Sequence, residues 1–544
     1  MMFKKLFFSV ALVLSIGILT AQDSFEADQT YVAKADSVFK APANWFNLDP
    51  QIDKVRGVST ERAYNELLPN KKSKTVIVAI IDSGVDIEHE DLKDKIWTNE
   101  DEIAGNGIDD DKNGYIDDVH GWNFIGNPNG EVVSHDNLEL TRLYIKYKKV
   151  YDGKSATDFK GKKLDEYNLY QELKTEYEKE LEQAKQMVAM LNNFMTAYNE
   201  ADVAVKKFLN KDEYTNEEVQ ALVTEDAEIT KAKQILGTIA SMNIGINDIK
   251  DGLEHYDNQL KYNLNVDFDP RNIVGDDYNN TSEKFYGNTN LIGSDASHGT
   301  HVAGIVGANR NNEIGMKGIA NDIKIMVIRT VPDGDERDKD VANSVYYAVN
   351  NGAKIINMSF GKAYSPNKDI VDAAFKYAEK KGVLLVHAAG NDGQNNDVKK
   401  NFPNARYLKS KKTCKTWIEV GASSWEDEDF AAGFSNYGQK TVDVFAPGVQ
   451  IYSSIPGSLY KNNDGTSMAS PVVAGLAALV LSYYPNLTAI QLKEIILKSV
   501  SDFGSAKVTS PGSKGDKTDF RNLSVTGGIV NAYNALKLAE TYKK

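Results

Sequence analysis

Three short stretches carry side chains that could do chemistry, and they lie far apart in the chain. VAIIDSGVD holds Asp82, SHGTHVAG holds His298 and His301, and DGTSMASPVVAG holds Ser467. Each sets a polar group among small residues, where a substrate backbone could come close. The chain has only 7 histidines, so two of them three apart stand out. At that spacing on a helix they could hold a metal. One could instead act as a base, or both could be packed. A serine hydroxyl is a weak nucleophile at neutral pH and needs a base beside it. A neutral imidazole, of unperturbed pKa about 6.5, can take that proton and return it to a leaving amine. A buried carboxylate would then hold the second ring nitrogen and stabilise the imidazolium.

The three stretches match D-[ST]-G, H-G-T-H-x-A-G and G-T-S-M-[AS]-x-P, in that order. On these motifs the chain resembles the subtilisin-like serine proteases (subtilases) over about 75–126 and 287–505. The order Asp, His, Ser is the one that subtilisin itself exemplifies. The resemblance implies an exported serine endopeptidase with Ser467 as nucleophile, His298 as general acid/base and Asp82 as orienter. HAAGNDG places Asn391 after a strand. By itself Asn391 reads as a turn residue; the resemblance makes it the oxyanion donor, paired with the nucleophile's own N–H. Ser467 also opens a helical stretch, where free N–H groups favour negative charge. The resemblance further implies that substrate backbone adds as a strand along NMSFG (Ser359, Phe360, Gly361) and HAAG (Ala388, Ala389, Gly390). The partner is then an extended protein or peptide.

Two other readings compete. One is a non-catalytic binding protein that keeps the subtilase fold and uses its insertion as an arm. The other is a zinc hydrolase on His298 and His301, but no thiolate or third histidine lies near them in sequence, and HEDLKD (89–94) lacks the second histidine of a metalloprotease helix.

The elements that must position these groups are legible as apolar runs. TVIVAIID (75–82), IKIMVIRT (323–330), AKIINMSF (353–360), VLLVHAAG (383–390) and WIEVGASS (417–424) read as buried strands. DVANSVYYAVNNG (340–352) and KDIVDAAFKYAEKKG (368–382) read as helices, each closed by glycine. MASPVVAGLAALVLSYYP (468–485) reads as a buried helix stopped by Pro485. The alternation predicts an α/β fold: a subtilisin-like doubly wound, mostly parallel sheet with helices on both faces. Such sheets place their sites at the carboxyl ends of the strands, and Asp82, Ser359 and Asn391 fall there.

A different texture fills about 134–262, rich in Lys, Glu, Gln and Tyr. Leu173, Tyr177, Leu181, Ala184, Val188, Leu191, Met195 and Tyr198 form a helical stripe. Thr215 and Glu218 make a capping box, as do Thr488 and Gln491 later. The expectation is an inserted α-helical hairpin over 127–286, between catalytic segments 75–126 and 287–544. It separates two members of the triad, which suggests that it gates or selects substrates.

MMFKK followed by an apolar run, Leu6–Leu19, and a polar turn reads as a signal peptide over 1–21. An N-terminal extension over 22–74 follows. The expected mature chain is exported, periplasmic or extracellular, with no transmembrane segment. A net charge of −14 argues against nucleic acid as a partner. The single cysteine, Cys414, excludes an internal disulfide. Calcium is the expected staple, in GIDDDKNGYIDDVHGWNF (107–124). Asp109, Asp111, Asn113, the carbonyl of Tyr115 and Asp117 match positions 1, 3, 5, 7 and 9 of a calcium loop. His120 stands where the bidentate glutamate would be, and Asp118 could complete the shell instead.

Overall fold

Strand β1, Val76–Asp82, is apolar up to its last residue, and all of it but Ile77 is buried. A strand covered on both faces has this composition. The computed structural model describes residues 41–241, 245–426 and 429–542. The stretch 1–21 read as a signal peptide, and residues 22–40 of the extension, lie outside them. The other strands are β2 (Gly121–Asn123), β3 (Ile323–Arg329), β4 (Ile355–Met358), β5 (Leu384–Ala388), β6 (Trp417–Ser423), β7 (Val444–Pro447), β8 (Ile451–Ile455), β9 (Leu459–Asn463), β10 (Ser501–Asp502), β11 (Lys507–Thr509), β12 (Lys517–Asp519) and β13 (Gly528–Ile529).

Nine of them form one sheet in the order β10-β13-β7-β6-β5-β4-β1-β3-β2. Every pairing is parallel except β10 with β13. After β1 the chain builds outward to β3 and β2, and from β4 it builds the other way. The carboxyl ends of β1 and β4 therefore flank a topological switch point, where open α/β sheets bind ligands. β8 and β9 pair as a separate antiparallel hairpin.

The helices are α1 (Thr60–Glu66), α2 (Glu139–Tyr151), α3 (Lys162–Leu209), α4 (Asn216–Gln220), α5 (Ala227–Ser241), α6 (Ile246–Asn258), α7 (Arg271–Val274), α8 (Ser297–Gly307), α9 (Asp338–Asn350), α10 (Lys368–Lys381), α11 (Thr466–Tyr483), α12 (Ala489–Lys498) and α13 (Ala532–Glu540). Alternate residues of each strand serve opposite layers. Val78 and Ile80 pack with α8, α11, α12 and α13 on one face. Ala79 and Ile81 pack with α9 and α10 on the other. Helix α11 is apolar all round because it is buried all round. Among the described residues it is the one helix long and apolar enough to cross a membrane, but 89% of it lies inside the protein. Trp45 and Phe46, fully buried, join the same core, so the later part of the extension is integral to the α/β unit.

Two compact units divide the chain: an α/β unit, Val38–Glu139 with Asp269–Lys544, and a helical unit over Leu140–Phe268. The helical unit is thus shorter than the 127–286 read from sequence. The flanks belong with the sheet because buried charge pairs tie them there. Arg337 holds Asp136 at 2.7 Å, and Lys362 holds Glu139 at 3.0 Å. Arg271 holds Asp340 at 2.6 Å, and Lys339 holds Asp276 at 2.6 Å. All four cations are buried, and ions there are tolerated only when paired and hydrogen-bonded.

Within the helical unit, the expected hairpin of long helices is uneven. One helix, α3, runs 48 residues, and the return is broken into α4, α5 and α6. Met187, Leu191 and Phe194 pack on Ile239 and Ile249; Ala201 and Val205 pack on Val219 and Ile229. The Thr215 capping box starts α4, and Gly245 precedes α6.

Candidate active site

Asp82 ends β1 and is 2% exposed. Its backbone carbonyl accepts from Thr330 N at 2.9 Å and Val331 N at 3.2 Å, just past β3. Arg329, buried beside it, donates to the carbonyl of Ser83 at 2.9 Å and fixes the turn that follows. Burial pushes the Arg329 pKa down to about 10. Asp82 Oδ1 accepts from Ser83 N and from His298 Nδ1, both at 2.7 Å.

His298 is the second residue of α8. Gly299 lets that helix approach β1. A Cβ there would lie 2.0 Å from the Gly84 carbonyl and 3.2 Å from the Asp82 Cβ. Burial pulls the His298 pKa down, but the charge and hydrogen bond of Asp82, aided by Asp295, outweigh it. The net shift is upward from the ordinary imidazole value. The side chain remains 41% exposed, so the ring can be reached from solvent.

His301 lies one turn on and does something else. It is fully buried, and its Nε2–H donates to the Lys461 carbonyl at 3.0 Å. Burial pushes its pKa down to about 4, so it is neutral. No third His, Cys or carboxylate joins the two histidines as a metal-binding group among the described residues.

Ser467 is the second residue of α11. Its hydroxyl donates to the Ser359 carbonyl at 3.0 Å. Ser359 lies just beyond β4, and its own hydroxyl bonds Ser470 at 2.8 Å and the Ser467 carbonyl at 3.0 Å beneath the helix. Asn391 Oδ1 accepts from Thr466 N at 2.9 Å and Thr466 Oγ1 at 3.0 Å. A backbone N–H can only donate, so this contact fixes which end of the amide is oxygen. The Nδ2 end is thereby left for a ligand. A Cβ on Gly465 would sit 3.5 Å from Ser467 N and 3.7 Å from Asn391 Nδ2. Two donors with no partner among the described residues therefore flank one spot beside the serine, with Met468 Sδ 3.7 Å from it, and two such donors are what an oxyanion needs. Thr466, which orients Asn391, was missed in the sequence reading although it lies inside the Gly-Thr-Ser motif.

The substrate edge is half of what the sequence suggested. Ser359, Phe360 and Gly361 extend beyond β4, and the Gly361 N–H bonds nothing among the described residues. Ala388, Ala389 and Gly390 do not offer a free edge. β5 is paired on both sides. Ala389 N donates to the Val420 carbonyl at 2.9 Å, and the Ala389 carbonyl accepts from Asn396, Asn401 and Asn436. Gly390 N is taken by Thr466 Oγ1. With its hydrogen bonds spent, this segment can line a pocket but cannot pair with a substrate strand.

In the acidic loop, Asp109 and Asp111 converge with Glu102, their oxygens within 4.8 Å of one another. Glu102 was not foreseen, because it precedes the loop. Asn113 stays close, donating to Asp111 at 2.9 Å and Asp118 at 3.1 Å. The Tyr115 side chain is buried. Asp117 departs from the expected set. Its two oxygens accept from Asn106 N at 3.1 Å and Gly107 N at 2.9 Å. Asp118 turns inward to Tyr347 at 2.5 Å. Burial, helped by the nearby Asp111 charge, pushes its pKa up to about 6 against the hydrogen bonds it accepts. A donor set of carboxylate oxygens alone suits a hard cation such as calcium.

The chain is similar to known proteins over much of its length. The model of the Subtilase family matches residues 73–521. A thermophilic serine proteinase from Bacillus sp. (strain AK1) is 38% identical over 241 residues, 44% of this chain and 52% of its own length. The matched region thus spans about half of that relative. Subtilisin BL from Lederbergia lenta is 35% identical over 40% of this chain and 74% of its own length. Among solved structures, a cold-adapted subtilisin-like serine proteinase is 30% identical, covering 44% of this chain and 78% of its own, with a TM-score of 0.35.

Proposed function

The chain belongs to the subtilase family, and from that premise we propose that it is an exported serine endopeptidase acting on extended protein or peptide chains. One observation carries the proposal: His298 Nδ1 is bonded to the buried Asp82 at 2.7 Å, the oriented base that the Ser467 hydroxyl needs.

The reaction follows from those groups. The Ser467 hydroxyl turns from the Ser359 carbonyl toward His298, which takes its proton as the oxygen attacks the scissile carbonyl. Asp82 holds the ring by Nδ1 and stabilises the imidazolium without taking the proton. Negative charge on the former carbonyl oxygen is met by Ser467 N and Asn391 Nδ2. The imidazolium then protonates the departing amine, leaving an acyl group on Ser467. A water attacks that ester with His298 again as base, releasing the carboxylic acid and restoring the serine.

Catalysis is favoured over a binding protein that merely keeps the fold, because the base, its orienter and both oxyanion donors are retained together. Glu102, Asp109 and Asp111 would hold a calcium ion, which would neutralise three converging carboxylates and staple their loop. Export rests on the basic and apolar start of the chain. The purified protein should cleave an unfolded protein substrate, and Ser467→Ala should remove that cleavage. Cleavage that survives the substitution refutes the assignment.

A further inference from the structure

β5 carries a histidine in a run where every neighbour is apolar or small. His387 is fully buried, and Glu419, its register partner on β6, is 5% exposed. His387 Nδ1 lies 3.1 Å from both oxygens of Glu419. Trp417 Nε1 donates to the same carboxylate at 2.8 Å. Burying an imidazole and a carboxylate between two helical layers is expensive, and apolar residues would serve packing as well.

The far end of this chain of bonds leads to the active site. His387 Nε2–H donates to the Phe360 carbonyl at 2.8 Å. Phe360 follows Ser359, whose carbonyl accepts from the nucleophile. The Phe360–Gly361 peptide is trans, so its C=O and N–H point in opposite directions. Drawing the Phe360 carbonyl into the core must therefore turn the Gly361 N–H outward. Glycine leaves that peptide plane otherwise easy to rotate. Glu419, bonded to Nδ1, fixes the orientation of the ring. A carbonyl oxygen can only accept, so the Nε2 facing Phe360 at 2.8 Å carries its hydrogen.

We propose that His387 is a positioning residue for substrate, backed by Glu419: it locks the Phe360–Gly361 peptide so that the Gly361 N–H is presented to an incoming substrate strand. This rests on the endopeptidase reading. It predicts a selective defect. A substrate that extends along Gly361 should suffer, and one confined to the scissile residue should not.

The test compares kcat/KM for an extended peptide and for a single-residue ester. Replacing both buried partners, His387→Leu with Glu419→Leu, leaves no orphaned charge in the core. That double variant should lose about tenfold on the peptide, the worth of one hydrogen bond, mainly through KM. Its ester hydrolysis should stay near wild type. His387→Gln, which keeps an N–H donor, should restore most of the peptide activity. An unchanged peptide-to-ester ratio in the double variant, or a His387→Gln ratio as low as the leucine variant's, overturns the inference. Absence of both activities in the wild-type protein would instead refute the endopeptidase reading itself.

Discussion

Gly465→Ala is a sharp probe of the oxyanion pocket. The new methyl would sit 3.5 Å from Ser467 N and 3.7 Å from Asn391 Nδ2. Those are ordinary van der Waals contacts, so nothing clashes. The oxyanion, however, needs the same donors at about 2.7–3.1 Å. The methyl competes for the space between them. Loss of one such donor costs about 2.7–4 kcal/mol, a figure taken from a subtilisin rather than worked from this chain, and kcat should fall about 10²–10³-fold. The backbone adds a separate cost. Gly465 has φ 156° and ψ 158°, a region that is nearly glycine-only and strains other residues by about 1–3 kcal/mol. Steady-state kinetics on a chromogenic peptide, alongside a thermal melt, separates the two effects. A folded Gly465→Ala enzyme that keeps kcat near wild type would refute the placement of the oxyanion between these donors.

Other consequences follow from the same geometry. Because the Asp82 pair raises the His298 pKa, the acid limb of kcat/KM should have its inflection above 6.5; neutral imidazole is the working form, so activity falls as pH drops through it. Asp82→Asn should move that inflection down, and a pH–rate profile reads both. Removal of calcium by a chelator should destabilise the protein by about 2.7 kcal/mol when the ion starts at a hundred times its Kd, and Glu102→Gln should shrink that difference in a melt. His301→Ala should cost about 1–3 kcal/mol of stability by removing a fully buried ring and its bond to the Lys461 carbonyl, yet leave kcat of the folded enzyme near wild type.

Much of the sheet was legible because a parallel strand buried on both faces must be a continuous apolar run, as 75–82 and 323–330 are. Asp82, His298, Ser467 and Asn391 were legible because each sits in a short motif whose neighbours must be small. What failed to show was what depends on distant partners. Glu102 joins Asp109 and Asp111 only through the turn between them. Ala389 looks like free strand backbone until Asn396, Asn401 and Asn436 close on its carbonyl. The run DERDKD (335–340) carries six charges in a row. Yet Arg337, Lys339 and Asp340 are buried, because their counter-charges come from both flanks of the insertion. That hidden pairing is also why the helical unit is shorter than its composition suggested.

The most direct test of the central claim is labelling with a serine-directed fluorophosphonate, followed by mass analysis of the modified peptide. An activated nucleophile should place the adduct on Ser467, and Ser467→Ala should abolish it. Labelling that persists in Ser467→Ala, or an adduct on another residue of the wild-type protein, would contradict the account.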